Sequence, residues 1–346
     1  MSDKTNNAEQ VASPAEHLVE VHDLKTYFHT AAGTAKAVDG VSFTLDRGKT
    51  LAIVGESGSG KSVTASSLMR LLPKTGKIEG GTVEFDGHDI VHATDAELRE
   101  LRGKDISMIF QDPMTALDPV FKVGSQMIEN IRIHDGLDKA AARKRAIEML
   151  RLVSIPNPEK RMDSYPYELS GGMCQRVMIA MAMSCHPKFI IADEPTTALD
   201  VTVQAQVLSL LKGLQDEMDT GILLITHNLG IVWQMADDVM VMYAGRTCEY
   251  ASMEELYSNP MHPYTWGLLD SMPKLSDKAK TDLKTIPGVP PDLRLTGNCC
   301  NFYNRCPYAC EKCKSEVPPL VEVRPGHFVA CHRQNGEQTL VRGEAN

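Results

Sequence analysis

Leu51-Ala52-Ile53-Val54-Gly55-Glu56-Ser57-Gly58-Ser59-Gly60-Lys61-Ser62-Val63 passes from an apolar run, through a loop rich in glycine, into a helix-forming stretch. A short apolar run that stops at glycine reads as a buried strand. From Lys61 to Leu72 the apolar residues Leu68, Met69, Leu71 and Leu72 read as a helix. Strand, loop and helix are the context that G-x-x-x-x-G-K-[ST] requires, and residues 55–62 fit that pattern. The glycines let the backbone close around phosphate oxygens, and loop amides with the helix N-terminus supply positive partial charge. Lys61 is then placed to reach the β- and γ-phosphates, and Ser62 to hold magnesium through its hydroxyl. A chance match falls in roughly one chain in a hundred, before the flanking strand and helix are required.

Outward from this loop, residues 1–16 read as a flexible tail, and Leu18-Val19-Glu20-Val21 as the first strand. Strand-like stretches recur at Ala37 to Leu45 and Thr82 to Phe85. A second strand-then-helix unit lies at Phe189 to Ala192 and Val203 to Leu214, with a further strand at Ile222 to Ile225. Val123 to Leu152 is alanine-rich and helical in period, which suggests an inserted helical subdomain around residues 112–168. The ATPase-type domain is thus expected over residues 17–255. Past it, prolines interrupt any long element, and six of the nine cysteines fall between 299 and 331. This predicts a separate, small, loop-rich unit over residues 256–346.

Phe189-Ile190-Ile191-Ala192-Asp193-Glu194 is an apolar strand that ends in two carboxylates. The carboxyl edge of a parallel sheet is where α/β proteins bind ligands. Asp193 is expected to hold magnesium through water, and Glu194 to polarise the attacking water as general base. Leu169-Ser170-Gly171-Gly172-Met173-Cys174-Gln175 opens a helix, with Ser170 as its cap and two glycines baring backbone amides, a second anion-binding N-terminus.

The order of phosphate loop, Gln111, Leu-Ser-Gly-Gly-Met, strand-Asp193-Glu194-Pro195 and His227 resembles the nucleotide-binding subunits of ABC (ATP-binding cassette) transporters over residues 18 to about 250. The resemblance implies an α/β, P-loop NTPase fold with a β-subdomain and an inserted helical subdomain, followed here by the cysteine-rich C-terminal domain. It implies MgATP as substrate. Gln111 matches the glutamine that contacts magnesium and water, and His227 the switch histidine that contacts the γ-phosphate. Ser170, Gly171, Gly172 and Gln175 match the signature that closes over ATP held by an opposite subunit. Ala198-Leu199-Asp200 matches the bridging D-loop, and Phe28 or Tyr27 fits the aromatic that stacks on adenine. Cys174 stands where relatives usually carry arginine, which predicts weaker electrostatics toward the partner's phosphate.

Asn259-Pro260-Met261-His262-Pro263-Tyr264-Thr265 and Ile286-Pro287-Gly288-Val289-Pro290-Pro291 resemble the oligopeptide, dipeptide and nickel importer branch. That branch implies a heterodimer with a second, paralogous ATPase, two membrane-spanning permease subunits and an extracytoplasmic peptide-binding protein, with this chain as the first ATPase. Peptide is the expected cargo, with nickel or glutathione as alternatives. Cys300, Cys306, Cys313 and Cys331 sit where the branch places cysteines. A four-iron four-sulfur cluster, zinc and free thiols remain open there, with Cys299 and Cys310 as alternative ligands.

Composition narrows the function classes. Thirty-six basic residues against 45 acidic ones give a net charge of -9, and aromatics are only 5%, which argues against a nucleic-acid partner. The longest apolar run, Val177 to Met183, is far short of the about 20 residues that cross a bilayer as a helix. With no basic and apolar leader at the N-terminus, the expected compartment is the cytosol, and the resemblance implies a peripheral place on the cytoplasmic face of the cell membrane. A soluble ABC protein of DNA repair or translation is the rival reading. One phosphate loop, no sustained heptads and the acidic balance count against it.

Overall fold

In the computed structural model, residues 17–196, 199–272, 285–334 and 340–342 are described; the expected N-terminal tail and Ala198 of the D-loop triplet lie outside them. Twelve strands occur among these residues: β1 (Val19–Thr30), β2 (Gly33–Leu45), β3 (Thr50–Val54), β4 (Gly76–Phe85), β5 (His88–Asp89), β6 (Ile106–Ile109), β7 (Phe189–Asp193), β8 (Gly221–Ile225), β9 (Asp238–Tyr243), β10 (Arg246–Ser252), β11 (Val321–Arg324) and β12 (His327–Val329). They form a four-stranded antiparallel sheet, β2-β1-β4-β5, and an eight-stranded mixed sheet, β11-β12-β10-β9-β3-β8-β7-β6.

Side chains alternate across a strand, and the central strands of the large sheet are buried on both faces. Leu51 and Ile53 of β3, with Ile191, Leu223 and Ile225, pack toward β1, β2, β4 and the helix Lys61–Leu68. Ala52 and Val54, with Ile190, Ala192 and Leu224, face the opposite way, into a core shared with the helices Val123–Asp135, Lys139–Leu152 and Gly171–Met183. The region expected as one helical run from 123 to 152 is therefore two helices. Gly136 at φ +66° closes the first, and the Asp138 side chain caps the second by accepting from the Ala141 amide at 2.8 Å.

The C-terminal stretch, expected as a small loop-rich unit, packs on the cassette and joins its large sheet. β12 pairs antiparallel with β10 through Glu249↔Val329 and Tyr250↔Phe328, and β11 pairs with β12. Phe302 is buried in the same core as Tyr243 and Tyr264, with ring centroids 5.1 and 5.3 Å away. A loop-rich segment with few apolar residues gains a core by borrowing one.

Glu249 anchors this seam. Its carboxylate is fully buried and accepts from the amides of Met261 (2.6 Å) and His262 (2.9 Å), while His327 Nε2 lies 2.8 Å away. His262 caps the helix Pro263–Asp270 by accepting from the Tyr264 amide at 3.0 Å. Burial holds its pKa down to about 4, so the imidazole is neutral and able to accept.

Candidate nucleotide site

Four neighbouring parallel strands end on one edge of the large sheet, in the order β3, β8, β7, β6. The phosphate loop begins directly after Val54 of β3, and His227 stands two residues beyond β8. Asp193 ends β7 with Glu194 next, and Gln111 stands two residues beyond β6. Strand order thus gathers residues that sequence separates by as many as 172 positions, from Gly55 to His227.

The contacts between them are short. Ser62 Oγ donates to Asp193 Oδ1 at 3.1 Å, so the two oxygens assigned to magnesium already meet. Gln111 Nε2 donates to Glu194 Oε2 at 3.0 Å, and His227 Nδ1 lies 3.1 Å from Glu194 Oε1. Glu194 takes a left-handed backbone, φ +46°, while its amide donates to Ile225 O at 2.8 Å. Such a conformation costs about 1–3 kcal/mol in a non-glycine residue and is kept where the surroundings over-determine it. Burial raises the Asp193 pKa, with the Glu194 charge adding to the push and Ser62 and Lys61 opposing it. Burial also lowers that of Lys61, against the pull of Glu194, Asp193 and Glu56.

Lys61, 6% exposed, donates to the carbonyls of Gly55 (2.8 Å) and Glu56 (2.9 Å), and so it curls inside its own loop. Ser57 and Gly58 are exposed at the loop tip; Gly55, Ser59 and Gly60 are buried at its base. A Cβ at Gly55 would stand 2.2 Å from Met242 O, and one at Gly60 (φ +106°) 2.3 Å from Ala37 O. Val63 packs against the core behind the loop. Ser59 Oγ is buried without a hydrogen-bond partner among the described residues. An orphaned hydroxyl, a lysine resting on carbonyls and a ready Ser62–Asp193 pair fit a loop whose missing partners are phosphate oxygens and magnesium.

The signature turn lies elsewhere. Ser170 Oγ accepts from the Met173 amide at 3.3 Å, Ser170 and Gly171 are exposed, and Gly172 faces Leu199 and Val203. Among the described residues no hydrogen bond joins this turn to residues 55–62. Two residues assigned to it point inward instead. Cys174 is fully buried with Sγ donating to Pro166 O at 3.4 Å, and Gln175 is 2% exposed with Nε2 unpartnered among the described residues. Both lie on the core side of the helix Gly171–Met183. Asp200 caps the helix Val201–Met218, accepting from Thr202 and Val203 amides at 3.0 Å. Tyr27 donates to Asp39 at 2.6 Å, with Lys36 over its ring; Phe28 instead lies against Gly76.

Sequence reading missed the partners of Glu56. Its amide donates to Tyr264 Oη at 2.8 Å, and Arg305 grips its carboxylate with two hydrogen bonds, 2.6 and 3.0 Å. Nothing local marks an arginine 249 residues from the loop.

The cysteines are electrostatic neighbours. Burial pushes the thiols of Cys300 and Cys306 up to about 12 and that of Cys331 up to about 11, and members of the Cys300, Cys306, Cys313 and Cys331 set add to each other's rise. The sulfurs of Cys310 and Cys313 lie 3.5 Å apart. Among the described residues, no three cysteine, histidine or carboxylate side chains converge as a single-ion site.

No helix among the described residues is long and apolar enough to cross a membrane. The ABC transporter family profile matches residues 38–197, and that of the oligopeptide/dipeptide transporter C-terminal region matches residues 248–313. The oligopeptide transport ATP-binding protein OppD of Bacillus subtilis is 51% identical, over 90% of this chain and 87% of its own length. Its namesake in Salmonella typhimurium is 50% identical, over 95% of this chain and 97% of its own. A dimeric ATP-binding cassette in a post-hydrolysis state, bound to ADP and Pi, superposes with a TM-score of 0.62 at 26% identity, over 68% of this chain and 98% of that one. With a phosphate loop, an acidic strand end, a glutamine and a histidine on one sheet edge, and with these relatives, the chain belongs to the ABC transporter family as an ABC-type ATPase that carries the oligopeptide/dipeptide transporter C-terminal region.

Proposed function

We propose that this chain powers peptide uptake by hydrolysing MgATP at the edge formed by β3, β8, β7 and β6. The observation that carries the reading is the meeting of Gln111, His227 and Glu194 beside the Ser62–Asp193 pair. Ser62, Asp193 and Gln111 are the residues to hold magnesium, which when bound supplies charge neutralisation between the phosphates. Lys61 leaves the carbonyls of Gly55 and Glu56 to meet the phosphates. Loop amides from Gly55 to Val63 orient them. Glu194 accepts the proton of the attacking water, oriented by Gln111, while His227 contacts the γ-phosphate side. Phe28 is the adenine-stacking aromatic, since the Tyr27 hydroxyl is already engaged by Asp39.

The exposed signature, Ser170 to Gly172, serves the ATP of a second, paralogous ATPase, and this chain receives the same in return. Asp200 caps its helix at the join. The pair acts at the cytoplasmic face beneath two permease subunits fed by an extracytoplasmic peptide-binding protein. The relatives named for oligopeptide transport support peptide over nickel or glutathione. Cys300, Cys306, Cys313 and Cys331 are the residues to hold a four-iron four-sulfur cluster, with zinc as the alternative. Iron and acid-labile sulfide in the anaerobically purified protein are the expected result; zinc without sulfide overturns that assignment. For transport, the complete assembly in vesicles should accumulate labelled peptide when ATP is supplied on the face of this chain. Uptake of nickel or glutathione without peptide would overturn the cargo.

A further inference from the structure

We propose that Arg305 is a positioning residue for ATP turnover, holding the phosphate loop in shape through Glu56, so that the C-terminal segment is a working part of the nucleotide site. The inference rests on the reading of residues 55–62 as the phosphate loop.

Arg305 sits beside Cys306, on turns closed by Arg305 N donating to Phe302 O (3.0 Å) and Cys306 N to Tyr303 O (3.4 Å). Its side chain, 5% exposed, spends the whole guanidinium on fixed acceptors. Nε donates to Pro287 O at 2.8 Å; Nη1 donates to Glu56 Oε2 at 2.6 Å and Tyr243 Oη at 3.2 Å; Nη2 donates to Glu56 Oε1 at 3.0 Å and Ile286 O at 3.2 Å. Five donors meet five acceptors, a geometry that only a planar fork can satisfy. Burying a charge so completely away from any ligand of its own is costly unless the pairing is this complete.

Glu56 transmits the hold. Arg305 grips its carboxylate, Tyr264 Oη accepts from its amide at 2.8 Å, and its carbonyl accepts from Lys61 Nζ at 2.9 Å and from the Ser59 amide at 3.2 Å. Lys61 must leave that carbonyl to meet phosphate. A loop whose second residue is pinned at amide and carboxylate keeps its curl while the lysine moves, whereas an unpinned one must be re-formed at each turnover. Preorganised amides then face the phosphates without a reorganisation cost.

The test is a double-mutant cycle in the full chain, assembled with its partner subunits, with R305M, E56Q and the pair. Each single substitution is expected to raise the KM for ATP about tenfold, the loss of one charge-assisted contact. The double should be no worse than the worse single, because Arg305 acts through Glu56. R305K should recover only part of the loss, since one ammonium cannot replace the fork. Effects that multiply, or variants that melt earlier with KM and kcat unchanged, overturn the proposal. If R305M does not fold, E56Q and R305K carry the same comparison. K61A is the separate control: ATP binding that survives it defeats the phosphate-loop reading itself, whatever Arg305 does.

Discussion

Gln111 Nε2 donates to Glu194 Oε2 across 3.0 Å, joining the ends of two adjacent parallel strands that lie 83 residues apart in the chain. The contact fixes one carboxylate oxygen and leaves the other to His227. Gln111→Ala should therefore remove one of the holds on the Glu194 carboxylate. ATPase activity is expected to fall about tenfold to a hundredfold, chiefly in kcat, which steady-state kinetics at saturating MgATP reads directly.

Gly60 is a tight point of the loop. At φ +106° with a methyl landing 2.3 Å from Ala37 O, Gly60→Ala must move backbone on one side or the other. We expect a loss of about 1–3 kcal/mol in stability and loss of measurable MgATP binding, followed by thermal melts and nucleotide titration. Retained affinity would show that the loop does not need this curl.

His327 ties stability to pH. Burial lowers its pKa, but the hydrogen bond and charge of Glu249, with those of Glu255, outweigh it and leave the value raised. Arg324 shares Glu255 at 2.8 Å. A raised histidine contributes its stability fully below its ordinary value of about 6.5, and loses it as pH rises through the folded value. The melting temperature should therefore fall as pH climbs from the neutral range, and His327→Gln should flatten that slope. At pH 6 the variant should lose about 3 kcal/mol, since it leaves the Glu249 charge buried without its ionic partner.

What could be read ahead of the structure follows from how local each signal is. The phosphate loop is a contiguous pattern after an apolar run, and Asp193-Glu194 closes another; each states its own place on a strand end. Gln111 and His227 became legible through the order of such segments. The grip of Arg305 on Glu56, the buried Glu249–His327 pair and the pairing of β12 with β10 are contacts across 249, 78 and about 80 residues, and no spacing rule encodes them. The burial of Cys174 and Gln175 is illegible for a different reason. The signature motif marks the exposed first turn, whereas Cys174 and Gln175 lie one turn deeper, where the helix is covered by the core.

The central claim is that Glu194 takes the proton from water while the rest of the site binds MgATP. The direct test is Glu194→Gln in the assembled transporter, measuring ATP binding and hydrolysis in one preparation. Binding should persist while hydrolysis falls by about a hundredfold or more. Hydrolysis at the unaltered rate, with the substitution verified, would contradict the account.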